Sequence, residues 1–404
     1  MHYPLPTISG CDMEKSPNKM MLLVVVLSVT SLVFGLGAAT PALADIAKAF
    51  PNESRENIQM IVTLPSLMIM VSTLICGQLS RFMRKKTLVL IGMLLFGIGG
   101  VTPAVWGGLK FILVMRGVLG AGCGFLVPLS QSLIADFFQG SDRDRYMGYR
   151  SSTASIFGIF FTMAGGYLCA IHWRFTFYAY LLVVPVFFLI LFAMPEPEIH
   201  RQAEKREKAA LTPGTWFYVS MYFLYNLVMM CFITNVAFVM SASNVGNART
   251  IGFITALQSI GGITAGLLLG TLTKTLRNFT ILVALGFLAF AFVILNFISS
   301  ALMFSIACAL WGYGFGTFNP TMALKIIGSV PKSATTLGLA LLTCAMGVGQ
   351  FLSPYFYSLT NRLLGLEGVR ASWAVAAVCF VAAFVIVFLK LVLKPRSAAV
   401  AEGA

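Results

Sequence analysis

Twelve separate apolar runs, each roughly long enough to cross a bilayer core, decide what this chain can fold into. A helix needs about 20 apolar residues to span the hydrocarbon layer, because backbone polar groups find no water there and must pair within the segment. Of the 404 residues, 58% are hydrophobic and only 10% charged. A soluble domain carries about 25% charged residues, so too little polar surface exists here to face water. Spans are expected over residues 20–42, 58–79, 87–106, 111–137, 147–170, 175–194, 215–241, 251–272, 279–298, 301–325, 334–360 and 372–393. These fill the length. The fold class expected is an all-α membrane protein of twelve transmembrane helices in two pseudo-symmetric six-helix bundles.

The net charge of +14 follows the same topology. With the N-terminus inside, twenty of the 28 lysines and arginines fall in cytoplasmic segments or the cytoplasmic ends of spans and seven outside, which leaves Arg116 within a span and away from its ends. Positive charge is held on the cytoplasmic side during insertion. Both termini are therefore expected in the cytoplasm of a multi-pass inner-membrane protein. The basic excess is a topology signal, and no soluble basic module exists to bind nucleic acid. The run Lys15, Lys19, apolar stretch and Ala42-Leu43-Ala44 resembles a signal peptide, but it exceeds the ~7–15 apolar residues of such a core and reads as an uncleaved first span. Seven cysteines lie singly in spans and Cys11 in the N-terminal tail. Without CxxC or ligand spacing they read as small apolar residues, and no metal or cofactor is expected.

An internal repeat divides the chain. Gly77-Gln-Leu79-Ser-Arg81-Phe-Met-Arg84-Lys-Lys-Thr87 returns as Gly270-Thr-Leu272-Thr-Lys274-Thr-Leu-Arg277-Asn-Phe-Thr280, 193 residues later. Gly120-x-Gly122-x-Gly124-x-x-x-Pro128 returns as Gly312-x-Gly314-x-Gly316-x-x-x-Pro320, 192 residues later. Two patterns at nearly one offset imply a six-plus-six duplication. The domains expected are 1–195 and 215–404, joined by a charged cytoplasmic linker over 196–214. Six spans per half make parallel repeats about an axis along the membrane normal, an arrangement suited to alternating access.

These residues resemble the major facilitator superfamily along essentially the whole chain, closest in look to its bacterial drug-efflux-like and sugar-efflux-like members. The family loop Gly-x-x-x-Asp-Arg-x-Gly-Arg-Arg is matched by Gly77, Lys85 and Lys86, while Arg81, Phe82 and Arg84 stand at its Asp, Arg and Gly positions. Arg116, Gly120 and Gly122 match the fourth-span Arg-x-x-x-Gly-x-Gly. Trp173, Arg174 and Phe177 match the opening of the sixth span. Gly165 and Gly166 stand where the antiporter signature ends, with Phe161-Thr162 in place of its Gly-Pro. The resemblance implies a secondary transporter that works as a monomer on a small-molecule substrate, with a proton or other ion as a coupling partner.

The glycines Gly120, Gly124, Gly312 and Gly316, with Gly262, Gly266 and Gly270, form small faces that allow close helix approach, static or sliding. Arg116, about five residues into its span, either snorkels outward or lines a water-filled central cavity, and the motif favours the cavity. Neutral cavity candidates are Gln131, Asn226, Asn235, Gln258, Asn319 and Gln350, with Tyr222 among the neighbouring aromatics. Such a cavity suits an amphipathic organic solute. No carboxylate or histidine sits mid-span, so Asp45 near the outer end of the first span is the coupling candidate. Asp142 and Asp144 are candidate partners for Arg81. The functions expected, in order, are export of an amphipathic compound or drug, uniport or exchange of a small metabolite or sugar, and sensing without transport. A membrane enzyme lacks its HExxH, GxSxG or intramembrane His or Asp pair.

Overall fold

The computed structural model describes residues 19–33, 35–196, 213–276, 279–297, 299–330 and 335–392. Twelve helices are long and apolar enough to cross a membrane: Lys19–Ala49, Arg55–Leu79, Lys85–Val105, Leu109–Phe137, Arg145–Cys169, Trp173–Ala193, Pro213–Ala242, Ala248–Leu276, Thr280–Phe297, Ala301–Gly328, Leu337–Leu363 and Ala371–Val392. They are numbered here as spans one to twelve. The even count brings Lys19 and Val392 to one face of the bundle, called the terminal face; the opposite one is the far face. Large apolar side chains such as Leu267, Phe192 and Phe297 are about four-fifths exposed on the perimeter, where lipid is their solvent. Most of the expected linker, residues 197–212, lies outside the described residues.

Two spans break midway. Span one runs as α-helix over Lys19–Val33, as 3-10 helix over Gly35–Ala42 with Pro41 inside, and again as α-helix over Leu43–Ala49. Span seven divides between Pro213–Met229 and Cys231–Ala242. Spans one and seven hold corresponding places in the sequence repeat. Span six opens as 3-10 helix over Trp173–Leu182.

The repeated glycines set the packing. A Cβ at Gly120 would strike the Cα and carbonyl of Pro65 on span two, and one at Gly124 would overlap Ser72 on the same span. Gly122, rotated away from them, lies against Phe96 and Gly92 on span three. The second repeat copies this division: Gly312 meets the Gln258 backbone and Gly316 meets Ala265 and Gly262 on span eight, while Gly314 meets Leu288 and Ala284 on span nine. Each ladder thus seats one span against two neighbours at backbone distance, where dispersion contacts are most numerous. On span eight the contact runs through Gly261, against Ala309 and Tyr313, and Ala265. A Cβ at Gly266 or Gly270 would meet nothing within 4 Å, so the expected stripe through them makes no close approach.

Arginines and lysines close the helix ends. Arg174 donates to Pro103 O at 3.3 Å and Gly107 O at 2.9 Å, capping span three at the far face while its guanidinium lies 4.6 Å from the Trp173 ring. Arg370, at the start of span twelve, donates to Asn296 O at 3.0 Å and caps span nine. Lys86 donates to Met194 O at 2.7 Å, just past the end of span six, and Lys85 pairs with Asp136 at 2.5 Å. The last carbonyls of a helix lack partners of their own, which is what these cations supply.

Candidate functional site

The first six spans meet the last six in the far half of the bundle. Ser54 caps span two by accepting from Asn57 N at 3.3 Å, which starts the helix so that Arg55 and Gln59 lie one turn apart on one face. That face meets span seven. Arg55 Nη2 donates to Asn235 Oδ1 at 2.8 Å, and Gln59 Nε2 donates to Asn235 Oδ1 at 3.0 Å and to Thr234 O at 3.2 Å. Asn235 is held in place by its own donation to Cys231 O at 3.0 Å and Thr234 Oγ1 at 3.1 Å. The Arg55 guanidinium also lies 4.6 Å from the Phe238 ring, one turn along span seven. Gln59, Thr234 and Asn235 are buried. A buried bond to a charged donor contributes about 1.5–3 kcal/mol, and stranding one member costs more.

Three further contacts flank this cluster. Gly166 and Gly252 bring spans five and eight together, with a Cβ at Gly166 reaching 2.7 Å from Ala248 O and 2.9 Å from Gly252 Cα. Beside them Arg249 lies 4.8 Å from the Tyr167 ring. Spans two and eleven meet where Gly347 faces Ser66 O and where Tyr355 Oη lies 3.0 Å from Met60 Sδ. Towards the terminal face the picture reverses. Gly77, Gly148, Gly266 and Gly270 each have open space where a side chain would begin. The contacts between the first and last six spans described above thus lie towards the far side. Beside the far-side contacts is a shallow cavity of about 350 Å³, lined by Ala44, Lys48, Phe238 and Ser241 among others.

The sequence candidates divide by position. Gln131 is exposed near the terminal end of span four, and Gln258, Asn319 and Gln350 are partly exposed. Tyr222, Asn226 and Asn235 are buried, the last in the far-side cluster. Tyr222, Asn226, Asn319 and Gln350 form one network: Tyr222 Oη donates to Asn319 Oδ1 at 2.5 Å, Asn226 Nδ2 to Tyr222 O at 2.9 Å, and Gln350 Nε2 to Asn226 Oδ1 at 3.1 Å. It ties spans seven, ten and eleven. Gln258 Oε1 and Trp311 Nε1 are buried without a partner.

Arg116 occupies neither of its expected settings. It is fully buried inside the first six spans, neither snorkelled to a surface nor open to water, because Ile61 O on span two accepts from Nε at 2.7 Å and Tyr180 Oη on span six from Nη1 at 2.8 Å. The Tyr180 and Phe177 rings lie 5.4 and 5.9 Å from the guanidinium. It does not adjoin Asp45, which pairs with Lys48 at 2.8 Å and accepts from Cys169 Sγ at 3.6 Å. Nor does Asp142 meet Arg81: its partner is Lys19, at 3.4 Å, and Arg81 is exposed. The Asp144 side chain lies outside the described residues. Gly165 packs on Ala38 of span one, so the glycine pair at 165–166 joins span five to spans one and eight at once.

Arg55 and Gln59 are absent from the sequence candidates, because the apolar runs alone leave Arg55 in an outside connection. Ser54 with an acidic Glu56 in the next turn is the helix-start signal that places them. Arg150, bonded through Nε to Ser130 Oγ at 3.2 Å between spans four and five, is another arginine within a span.

Comparison with known proteins agrees with this architecture. The Major Facilitator Superfamily model matches residues 25–245 and again 218–404. Relatives include an uncharacterized MFS-type transporter, YwfA, of Bacillus subtilis (26% identical over 39% of this chain and 39% of that one). Multidrug resistance protein 1 of the same organism is 23% identical over 54% of this chain and 55% of that one. Quinolone resistance protein NorA of Staphylococcus aureus is 22% identical over 48% and 51%. The matches thus span only about two-fifths to about half of the relatives' lengths. Among solved structures, a bacterial homolog of the human lysosomal transporter Spinster superposes with a TM-score of 0.67 at 14% identity, covering 92% of this chain and 97% of that one. With twelve spans, a repeated glycine ladder and a family match over both halves of the sequence, the chain belongs to the Major Facilitator Superfamily of membrane transporters.

Proposed function

We propose that the chain is a secondary transporter that exports a small amphipathic organic solute by alternating access. One observation carries this reading: the two sets of six spans are joined at the far side through Arg55, Gln59 and Asn235, while Gly77 and Gly270, towards the terminal side, have no neighbour within 4 Å of where a side chain would begin. A path open to one side, closed by a few polar bonds at the other, is half of an alternating-access cycle. The charge asymmetry supports a cytoplasmic terminal face, from which the solute enters in this reading. Export is supported by the names of the multidrug and quinolone resistance relatives. The exposed Gln131 and the partly exposed Gln258, Asn319 and Gln350 are the polar groups that orient a solute among aromatic neighbours.

Uniport or exchange is the second reading, favoured by the carboxylates. Among the described residues they sit at span ends or in connections, and Asp45 is already paired with Lys48. The test is uptake of an amphipathic dye into inside-out reconstituted vesicles, with and without a pH gradient. Movement faster than in empty vesicles supports transport, and its dependence on the gradient separates antiport from uniport. Movement equal to that in empty vesicles overturns the proposal.

A further inference from the structure

Arg116 carries a full positive charge that the described residues leave without a counter-charge. Its side chain is completely buried, and a guanidinium does not lose its proton in a protein. Nε and Nη1 are taken up by the Ile61 carbonyl and the Tyr180 hydroxyl, while Nη2 is buried with no acceptor. The ion pairs among the described residues join Lys19 to Asp142, Lys48 to Asp45 and Lys85 to Asp136, and none involves Arg116. Tyr180 accepts from Arg116, and its own hydroxyl proton has no acceptor among the described residues.

The shell around these two donors is aromatic. The Phe96 ring lies edge-on to Tyr180 at 5.6 Å, Phe161 stacks on it at 5.9 Å, and Phe177 faces the guanidinium. One carbonyl dipole and two ring faces offset only part of the cation's desolvation, and a buried charge without a counter-charge is costly to hold. An anion accepting from both free donors removes it. We propose that Arg116 Nη2 and the Tyr180 hydroxyl bind a small monovalent anion of the halide type. Burial and the aromatic shell exclude a bulky organic carboxylate, so the ion is distinct from the transported solute and the inference stands apart from the choice of substrate.

The test is thermal melting of the purified full-length protein, dialysed into sodium gluconate and then titrated with sodium chloride or bromide at constant ionic strength. A ligand that binds only the folded state raises the melting temperature in step with its occupancy, so a saturable rise is expected with either halide. Tyr180→Phe, which keeps the ring and Arg116, should shift the half-saturating halide concentration upward about tenfold, the loss of one hydrogen bond. Arg116→Gln should melt independently of halide. In crystals grown with bromide, an anomalous peak should lie within hydrogen-bonding reach of Arg116 Nη2. A flat wild-type titration overturns the proposal. So does a rise that Tyr180→Phe reproduces at the wild-type midpoint, and this arm remains decisive where Arg116→Gln fails to fold.

Discussion

Arg116 donates from Nε to the carbonyl of Ile61 at 2.7 Å, and that carbonyl is the one Pro65 leaves without an amide donor. Proline has no N–H, so the oxygen four residues before it loses its helical bond. The relationship is reciprocated across the same two spans. Pro128 on span four frees the carbonyl of Gly124, and Thr73 on span two donates to it at 3.0 Å. In lipid an unmatched carbonyl costs several kcal/mol and neighbouring side chains must supply the donor. Each of spans two and four therefore loses a helical bond at a proline and is repaired by the other, with Gly120 and Gly124 admitting the close approach that makes this possible.

Arg116→Gln should destabilise the folded protein by about 2–3 kcal/mol, since it strands the Ile61 carbonyl. Pro65→Ala restores an amide at position 65 and gives that carbonyl a helical donor. The two changes should therefore couple, with the double mutant about 1 kcal/mol more stable than the sum of the singles. Unfolding in a denaturant series measures this. Strict additivity would show that Arg116 does not serve the proline break.

Thr73→Val removes the hydroxyl that repairs span four while keeping its shape. It should cost about 1 kcal/mol, whereas Thr73→Ser should stay close to wild type. Equal losses in both variants would assign the effect to packing of the methyl group and remove the bond from the account.

The spans themselves were legible to within a few residues, except at the far end of span one, because twelve long apolar runs admit little else. The glycine ladders were legible as a repeat, and their pairing with two neighbours each follows from the two-residue spacing, which turns Gly122 and Gly314 away from their flanking glycines. Other features were hidden by helix geometry. Residues four apart advance about 40° beyond a full turn, so Gly266 and Gly270 rotate away from span ten while Gly262 stays on it, and the contact runs through Gly261, Gly262 and Ala265. The environment of Arg116 depended on a proline 51 positions earlier whose need for a donor is visible only once spans two and four are known to touch. Arg174 stood out only as part of the motif opening span six, and the capping role it shares with Arg370 was hidden because their sequence contexts differ.

Asn235→Ala removes the acceptor shared by Arg55 and Gln59, leaving Arg55 Nη2 without its partner and Gln59 with the Thr234 carbonyl alone. The closed far side should lose about 1–3 kcal/mol, which changes the ratio of closed to open molecules by about fivefold to about a hundredfold. Spin labels at Glu53 and Asn244, on the connections flanking the contact, should report a longer distance population in Asn235→Ala and in Gln59→Ala. Distributions matching wild type in both would mean the cluster does not hold the far side shut.

Glycines at the two sides of the bundle should fail in opposite ways. At Gly166 even a Cβ comes within 2.7 Å of Ala248 O and 2.9 Å of Gly252 Cα, backbone that a rotamer change cannot move. Gly166→Val should therefore prevent far-side closure and lengthen the Glu53–Asn244 distance. At Gly77 a side chain meets nothing in the present conformation, so Gly77→Val should leave that distance unchanged. Alternating access requires the terminal halves to approach in turn, and there the added bulk at Gly77 becomes an obstacle. Both variants should then lose dye uptake into inside-out reconstituted vesicles, one arrested open at the far side and the other arrested closed. Wild-type export by Gly77→Val would show that its surface never closes, and a wild-type distance in Gly166→Val would show that the far contact is not the seal.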